Sequence, residues 1–126
     1  MKYKILIVDD SELTRKIMTK TLSMTCLDIG EFIYASNGRE ALKKLDENWI
    51  DIVFADINMP VMNGIEMIEK MHEDGILKTV PVVMVSTDGS QARIEELKMK
   101  GIRAYIRKPF KPELVRDVVN DLLGEK

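Results

Sequence analysis

The chain has 126 residues, 45% of them hydrophobic and 32% charged, which is enough for one domain with a full core and too few for two. Its 19 Lys and Arg against 21 Asp and Glu leave a formal charge of −2, so there is no strongly basic field to neutralise nucleic-acid phosphates. No apolar run approaches the roughly 18 residues of a membrane span, no signal-peptide pattern opens the chain, and the single cysteine, Cys26, excludes an internal disulfide framework and fits a reducing cytoplasm.

In chain order, residues 4–8 (KILIV) form a short apolar run that ends in Asp9 and Asp10, the pattern of a strand buried on both faces. Ser11 is an N-cap with Glu12 in the first turn, and Leu13, Ile17, Met18 and Leu22 predict a broad apolar side on the helix that follows. Cys26 is expected to pack at the end of that helix. Residues 31–35 (EFIYA) predict a short edge strand; Asn37 and Glu40 then have capping-box spacing, with Ala41, Leu42 and Leu45 facing inward. Trp49 is expected to pack ahead of the third strand.

That strand, residues 52–55 (IVFA), delivers Asp56 and stops in the turn-forming stretch Asn58-Met59-Pro60 with Asn63-Gly64 beyond it. A third helix rests on Ile65, Ile68 and Met71, carries the lone His72 on its surface, and stops at Gly75. Residues 81–85 (PVVMV) form a fourth buried strand that ends in Ser86-Thr87. Gly89-Ser90 opens a charged helix with Ile94 and Leu97, which Gly101 stops. The fifth strand alternates, with Ile102, Ala104 and Ile106 on one face and Arg103, Tyr105 and Arg107 on the other, as suits an edge. Lys108-Pro109 ends it, and Pro112 begins a helix lined by Leu114, Val115, Val118, Val119 and Leu122. Nine methionines fit an adaptable core.

Five strand–helix pairs in strict alternation imply an α/β fold, a parallel sheet covered by helices on both faces. With runs one, three and four wholly apolar and two and five weaker, the flavodoxin-like (βα)5 order 2-1-3-4-5 follows. Strands one and three are then neighbours at the switch point. Asp9, Asp10, Asp56, Ser86 and Lys108 all fall at the carboxyl end of the sheet, where such folds bind ligands. Three crowded carboxylates repel, so either a pKa rises or a cation intervenes. A hard divalent ion suits them, and Mg²⁺ binds few carboxylates while keeping several waters. Lys108 adds a fixed positive charge and Ser86 a hydroxyl. The set describes a site for transferring a phosphoryl group onto Asp56.

Asp9-Asp10, Asp56 with Met59-Pro60 and Gly64, Ser86, and Lys108-Pro109-Phe110 together closely resemble the receiver domains of two-component response regulators, from about Lys4 to Leu123. The resemblance implies that Asp56 accepts phosphate from a histidine kinase. It implies Mg²⁺ held by Asp9, Asp10, Asp56 and the backbone carbonyl of Asn58, a cis Lys108-Pro109 bond, and Lys108 paired with the phosphate. Ser86 and Tyr105 stand at the switch positions, and their movement would remodel the surface built by helix four, strand five and helix five. Arg93, Lys98, Arg103, Tyr105, Arg107 and Lys111 make that surface basic and partly aromatic, which suits an acidic peptide. Asn58 and Asp88 flank the expected phosphate and are candidates for tuning its lifetime, with Thr87 as a further influence on the Ser86 loop.

The chain ends just past the last helix, so a single free-standing receiver without an output domain is expected, acting as a cytoplasmic monomer. CheY-like chemotaxis signalling, from a CheA-like kinase to a flagellar motor switch protein and reversed by a phosphatase, is the leading role. A shuttle to a histidine phosphotransfer protein is the alternative within the family. An Asp-nucleophile phosphatase needs a second acid two positions after its nucleophile, and Asn58 stands there. FMN binding would set a phosphate above the acidic Asp9-Asp10 loop, which lacks a Gly- or Ser/Thr-rich cradle.

Overall fold

The computed structural model describes residues 2–87 and 90–124, so Asp88 and Gly89 lie outside the described residues. Five strands, β1 (Tyr3–Val8), β2 (Ile29–Ala35), β3 (Ile52–Ala55), β4 (Val82–Ser86) and β5 (Ala104–Arg107), alternate with α1 (Glu12–Ser23), α2 (Gly38–Glu47), α3 (Gly64–Glu73), α4 (Gln91–Lys100) and α5 (Pro112–Leu123). All neighbouring strands are parallel, in the order β2-β1-β3-β4-β5, which is the expected flavodoxin-like arrangement.

The wholly apolar runs supply the two-sided core. Along β1, Leu6 and Val8 pack toward α2, α3 and α4, while Ile5 and Ile7 pack toward α1 and α5. Val53 and Ala55 divide from Ile52 and Phe54 in the same way, as do Val82 and Met84 from Val83 and Val85. Each buried Val, Leu, Ile, Phe or Met side chain of this set stabilises the fold by about 1.5–3 kcal/mol relative to exposure. Local signals start the helices. Ser11 Oγ accepts the Thr14 N–H at 3.2 Å, Ser90 Oγ the Arg93 N–H at 3.3 Å, and Asn37 Oδ1 the Glu40 N–H at 2.9 Å. Glu40 does not return to its cap, because its carboxylate takes the Ser36 N–H and hydroxyl instead. The reciprocal capping box is at α3, between Asn63 and Glu66.

Several side chains stand elsewhere than the sequence pattern predicts. Leu13 is 68% exposed and Ile17 51%. At about 3.6 residues per turn they lie off the Met18–Leu22 stripe that meets the sheet. Leu114 is likewise exposed beside the buried Val115. Cys26 is exposed, because α1 ends at Ser23 and leaves it in the following loop. Trp49 does not pack: Ile50 takes the buried position, and the indole turns outward with its Nε1–H donating to Asp51 Oδ1 at 3.2 Å. Ile102 precedes β5 and packs with Leu97 and Leu77 on the opposite side of the sheet from Ile106.

Gly64 is fixed by close approach. A Cβ there would collide with the Asp56 carbonyl oxygen and meet Met84 Cε at 2.7 Å and Ile57 Cα at 3.0 Å. Gly75 has φ 75° and nothing within 4 Å of a built Cβ. Urea unfolding should therefore separate them. Gly64→Ala is expected to lose about 1–3 kcal/mol by overpacking against backbone, whereas Gly75→Ala loses only the left-handed penalty of about 1 kcal/mol. Equal losses would refute the close-approach argument.

Candidate functional site

The register of β1 against β3 builds the site. Val8 pairs with Ala55, and the Asp56 N–H donates to the Val8 carbonyl at 3.0 Å, so the next residues, Asp9 and Asp56, leave the sheet side by side. One carboxylate oxygen from each of Asp9, Asp10 and Asp56 lies within 4.8 Å of the others. Asp9 is 2% exposed, Asp56 is half-buried and Asp10 faces solvent.

Backbone amides orient two of the acids. Asp9 Oδ1 accepts the Ser11 N–H at 2.9 Å, and Asp56 Oδ1 accepts the Ile57 N–H at 2.8 Å. The Lys108 ammonium stands 3.9 Å from Asp9 Oδ2 and 3.8 Å from Asp56 Oδ2, within Coulombic reach but beyond a hydrogen bond. Asp9 Oδ2 is thus a buried oxygen with no hydrogen-bond donor. Burial pushes the Asp9 carboxyl above its usual pKa, and the charges of Asp56 and Asp10 add to this. The Ser11 amide and Lys108 oppose it without reversing it. A buried, donor-less carboxylate oxygen facing two more carboxylates fits a hard divalent cation, which would supply the missing positive charge. The acid cluster is the right donor set for Mg²⁺.

Lys108 is held from three sides. Its N–H donates to the Ser86 carbonyl at 2.9 Å, its bond to Pro109 is cis, and Phe110 meets Phe54 edge-on at 5.6 Å. Ser86 is buried at the end of β4, opposite Arg107. Tyr105 is half-buried on β5, paired with Met84, and packs toward the α3–α4 side. Asn58 is exposed two residues beyond Asp56. Of the basic set, Arg93 is half-buried in α4, and Lys98, Arg103, Arg107 and Lys111 are exposed. His72 is exposed on α3 as expected.

Two features of the site have no sequence signal. Arg15 donates to the Asp9 carbonyl at 2.6 Å, bracing the backbone behind the acid, and a lone Arg in a first helical turn does not announce that bond. Val61 has φ 67°, and the Met62 N–H donates to the Pro60 carbonyl at 2.7 Å across it. This tight turn puts a β-branched residue in the left-handed region, where pattern reading expects Gly or Asn. The Gly38 N–H fixes the other end of the turn by donating to the Met62 carbonyl at 2.8 Å.

The family model for the response regulator receiver domain matches residues 5–120. Chemotaxis protein CheY1 of Helicobacter pylori is 36% identical over 122 residues, covering 96% of this chain and 97% of that protein. Among solved structures, Vibrio cholerae chemotaxis protein CheY4 superposes with a TM-score of 0.84 at 32% identity, over 98% of this chain and 100% of that one. The CheX–CheY–BeF3–Mg²⁺ complex of Borrelia burgdorferi gives 0.85 at 31%, over 98% and 90%.

The raised Asp9 pKa sets the sign of a pH effect. The folded state keeps this proton above the pH at which the unfolded chain releases it, so stability falls as pH rises through the folded value. In metal-free protein, Asp9→Asn is expected to gain about 1 kcal/mol at pH 7 by removing a buried unpaired charge. The gain should vanish below the usual carboxylate range. Added Mg²⁺ should stabilise the parent and leave the variant nearly unchanged. Urea midpoints against pH, with chelator and with Mg²⁺, measure both; destabilisation of the variant at pH 7 would refute the account.

Proposed function

The chain belongs to the response regulator receiver domain family, and from that membership we propose that Asp56 is its phosphoacceptor, taking a phosphoryl group from the phosphohistidine of a CheA-like histidine kinase. The observation that carries this reading is the Asp56 carboxylate itself. It is half-buried, oriented by the Ile57 amide and faced by Lys108, with two further acids beside it.

In the transfer, an Asp56 carboxylate oxygen forms the bond to phosphorus as the bond from phosphorus to the imidazole nitrogen breaks, and that nitrogen keeps the electron pair. Lys108 neutralises charge on the phosphoryl oxygens, and Ser86 donates its hydroxyl to one of them. Asp9, Asp10, Asp56 and the Asn58 carbonyl would hold Mg²⁺, which would supply further positive charge there. The Borrelia relative, solved with BeF3 and Mg²⁺, supports that cofactor.

Movement of Ser86 toward the phosphoryl oxygens frees space for Tyr105 to turn inward, changing the surface of α4, β5 and α5. Arg93, Arg107 and Lys111 then meet an acidic segment of the target, a flagellar motor switch protein in the chemotaxis reading. The curated chemotaxis relatives support that role. Asn58 and Asp88 set how readily water reaches the acyl phosphate, and a phosphatase resets the switch. The only catalysis of this receiver is its own phosphorylation and dephosphorylation, carried out by a cytoplasmic monomer. Among the described residues, no helix is long and apolar enough to cross a membrane.

Intact mass after incubation with acetyl phosphate tests the acceptor. One phosphoryl adduct is expected with Mg²⁺, none with chelator, and none for Asp56→Asn. Amide shifts of Tyr105 and Arg107 should move on phosphorylation. An adduct that persists in Asp56→Asn would refute the assignment, and unchanged shifts would refute the switch.

A further inference from the structure

A cavity of about 620 Å³ lies at the opposite end of the sheet from the acids, between the end of α2, the segment entering β3 and the turn before β4. Leu42, Leu45, Ile50, Ile76 and Val80 give it an apolar lining. Trp49 stands beside it, 76% exposed. An indole left in water forgoes the stabilisation that burial would bring, yet this one is not loose. Its Nε1–H donates to Asp51 Oδ1 at 3.2 Å, and Asp51 Oδ2 accepts the Lys4 N–H at 2.7 Å, which ties the ring to β1. A large aromatic that is both exposed and held is pre-organised for contact, and tryptophan is enriched at the energetic centres of interfaces.

Charge selects what it contacts. Asp46 and Asp74 line the cavity against Lys43, and Asp51 lies under the indole edge. The rim therefore favours a cation, as does the face of the indole ring.

We propose that this cavity docks an amphipathic segment of a partner protein that carries Lys or Arg beside an aliphatic anchor. The anchor enters between Leu45, Ile50 and Val80, and the cation lies against Trp49 and the rim carboxylates. The surface has the opposite charge to the basic one around β5, so the two select different partners. Nothing in this site depends on Asp56.

Trp49 is the only tryptophan in the sequence, so its emission reports occupancy directly. The probe is a synthetic amphipathic Leu/Lys helical peptide, compared with Leu/Glu and Ser/Lys versions. The Leu/Lys peptide should give a saturable blue shift, and the other two none. Asp46→Lys and Asp74→Lys, both at exposed positions, should each weaken binding about two- to fivefold, with circular dichroism confirming their fold. Asp56→Asn should bind as the parent does, which separates this site from the phosphoacceptor. No shift, equal binding of the Leu/Glu peptide, or undiminished binding by both lysine variants would overturn the proposal. A blue shift that grows with protein concentration alone, with a dimer in sedimentation, would also overturn it, by showing a second copy in the cavity.

Discussion

Everything at the acid site depends on one register. Because Val8 pairs with Ala55, two acids that are far apart in sequence emerge side by side from β1 and β3. Asp10 then brings a third carboxylate oxygen within 4.8 Å. At that spacing the repulsion is substantial wherever water is excluded, and Asp9, at 2% exposure, lies where exclusion is greatest. Hydrogen bonding relieves only part of this repulsion: the Ser11 and Ile57 amides reach Oδ1 of Asp9 and of Asp56, while Asp9 Oδ2 has no donor. Lys108, held too far away for a hydrogen bond, relieves a further part. A protein that keeps such a charge arrangement gives up stability for it. In the proposed phosphoacceptor role, the return would be a site that attracts a cation and, with it, an anionic phosphoryl group.

The loop beyond Asp56 is built to resist that repulsion. Gly64 donates to the Ile57 carbonyl at 2.8 Å and leaves no room for a Cβ above the Asp56 carbonyl, so α3 begins directly against the acid's backbone. Gly38, at the start of α2, holds Met62. Between these two ties, Val61 takes a backbone conformation that costs of order 1–3 kcal/mol, which persists only where the surroundings over-determine it. Phe54 extends the same logic to the other wall: its ring lies two residues before Asp56 and carries Phe110, so the strand that presents the acid also steadies the segment that presents Lys108.

The sheet and its order were legible because each central strand reads as an unbroken apolar run, and only a parallel sheet covered on both faces buries such runs. The acid site was legible for a related reason: in this topology polar residues that end the strands must converge. What pattern could not resolve was which apolar residues a helix leaves outside. On α1 the stripe that meets the sheet is only as wide as Thr21, Met18 and Leu22 require, and Leu13 and Ile17 fall off its flank. Trp49 failed differently. Hydrophobicity favoured burial, but the neighbouring Ile50 filled the one inward position, and Asp51 offered the indole a surface partner. The bracing by Arg15 and the turn at Val61 were illegible because each depends on a partner that only the folded backbone supplies.

The connection between Ser86 and Lys108 is where the acid site and the basic surface become one object. The Lys108 amide hangs from the Ser86 carbonyl, and Ser86 pairs with Arg107 across the β4–β5 ladder. Any displacement of Ser86 toward the acids therefore acts on the carboxyl end of β5 through backbone hydrogen bonds, not only through the vacated side-chain space. Tyr105 is two residues upstream on the same strand, paired with Met84, whose terminal methyl comes within 2.7 Å of a Cβ built on Gly64. A change at Asp56 thus has two short mechanical routes to β5, one through the end of β4 and one through Met84 beside the α3 start. The contacts on that second route also leave no room for a side chain at Gly64. A side chain there would press at once on the carbonyl of the acid and on the residue that supports Tyr105.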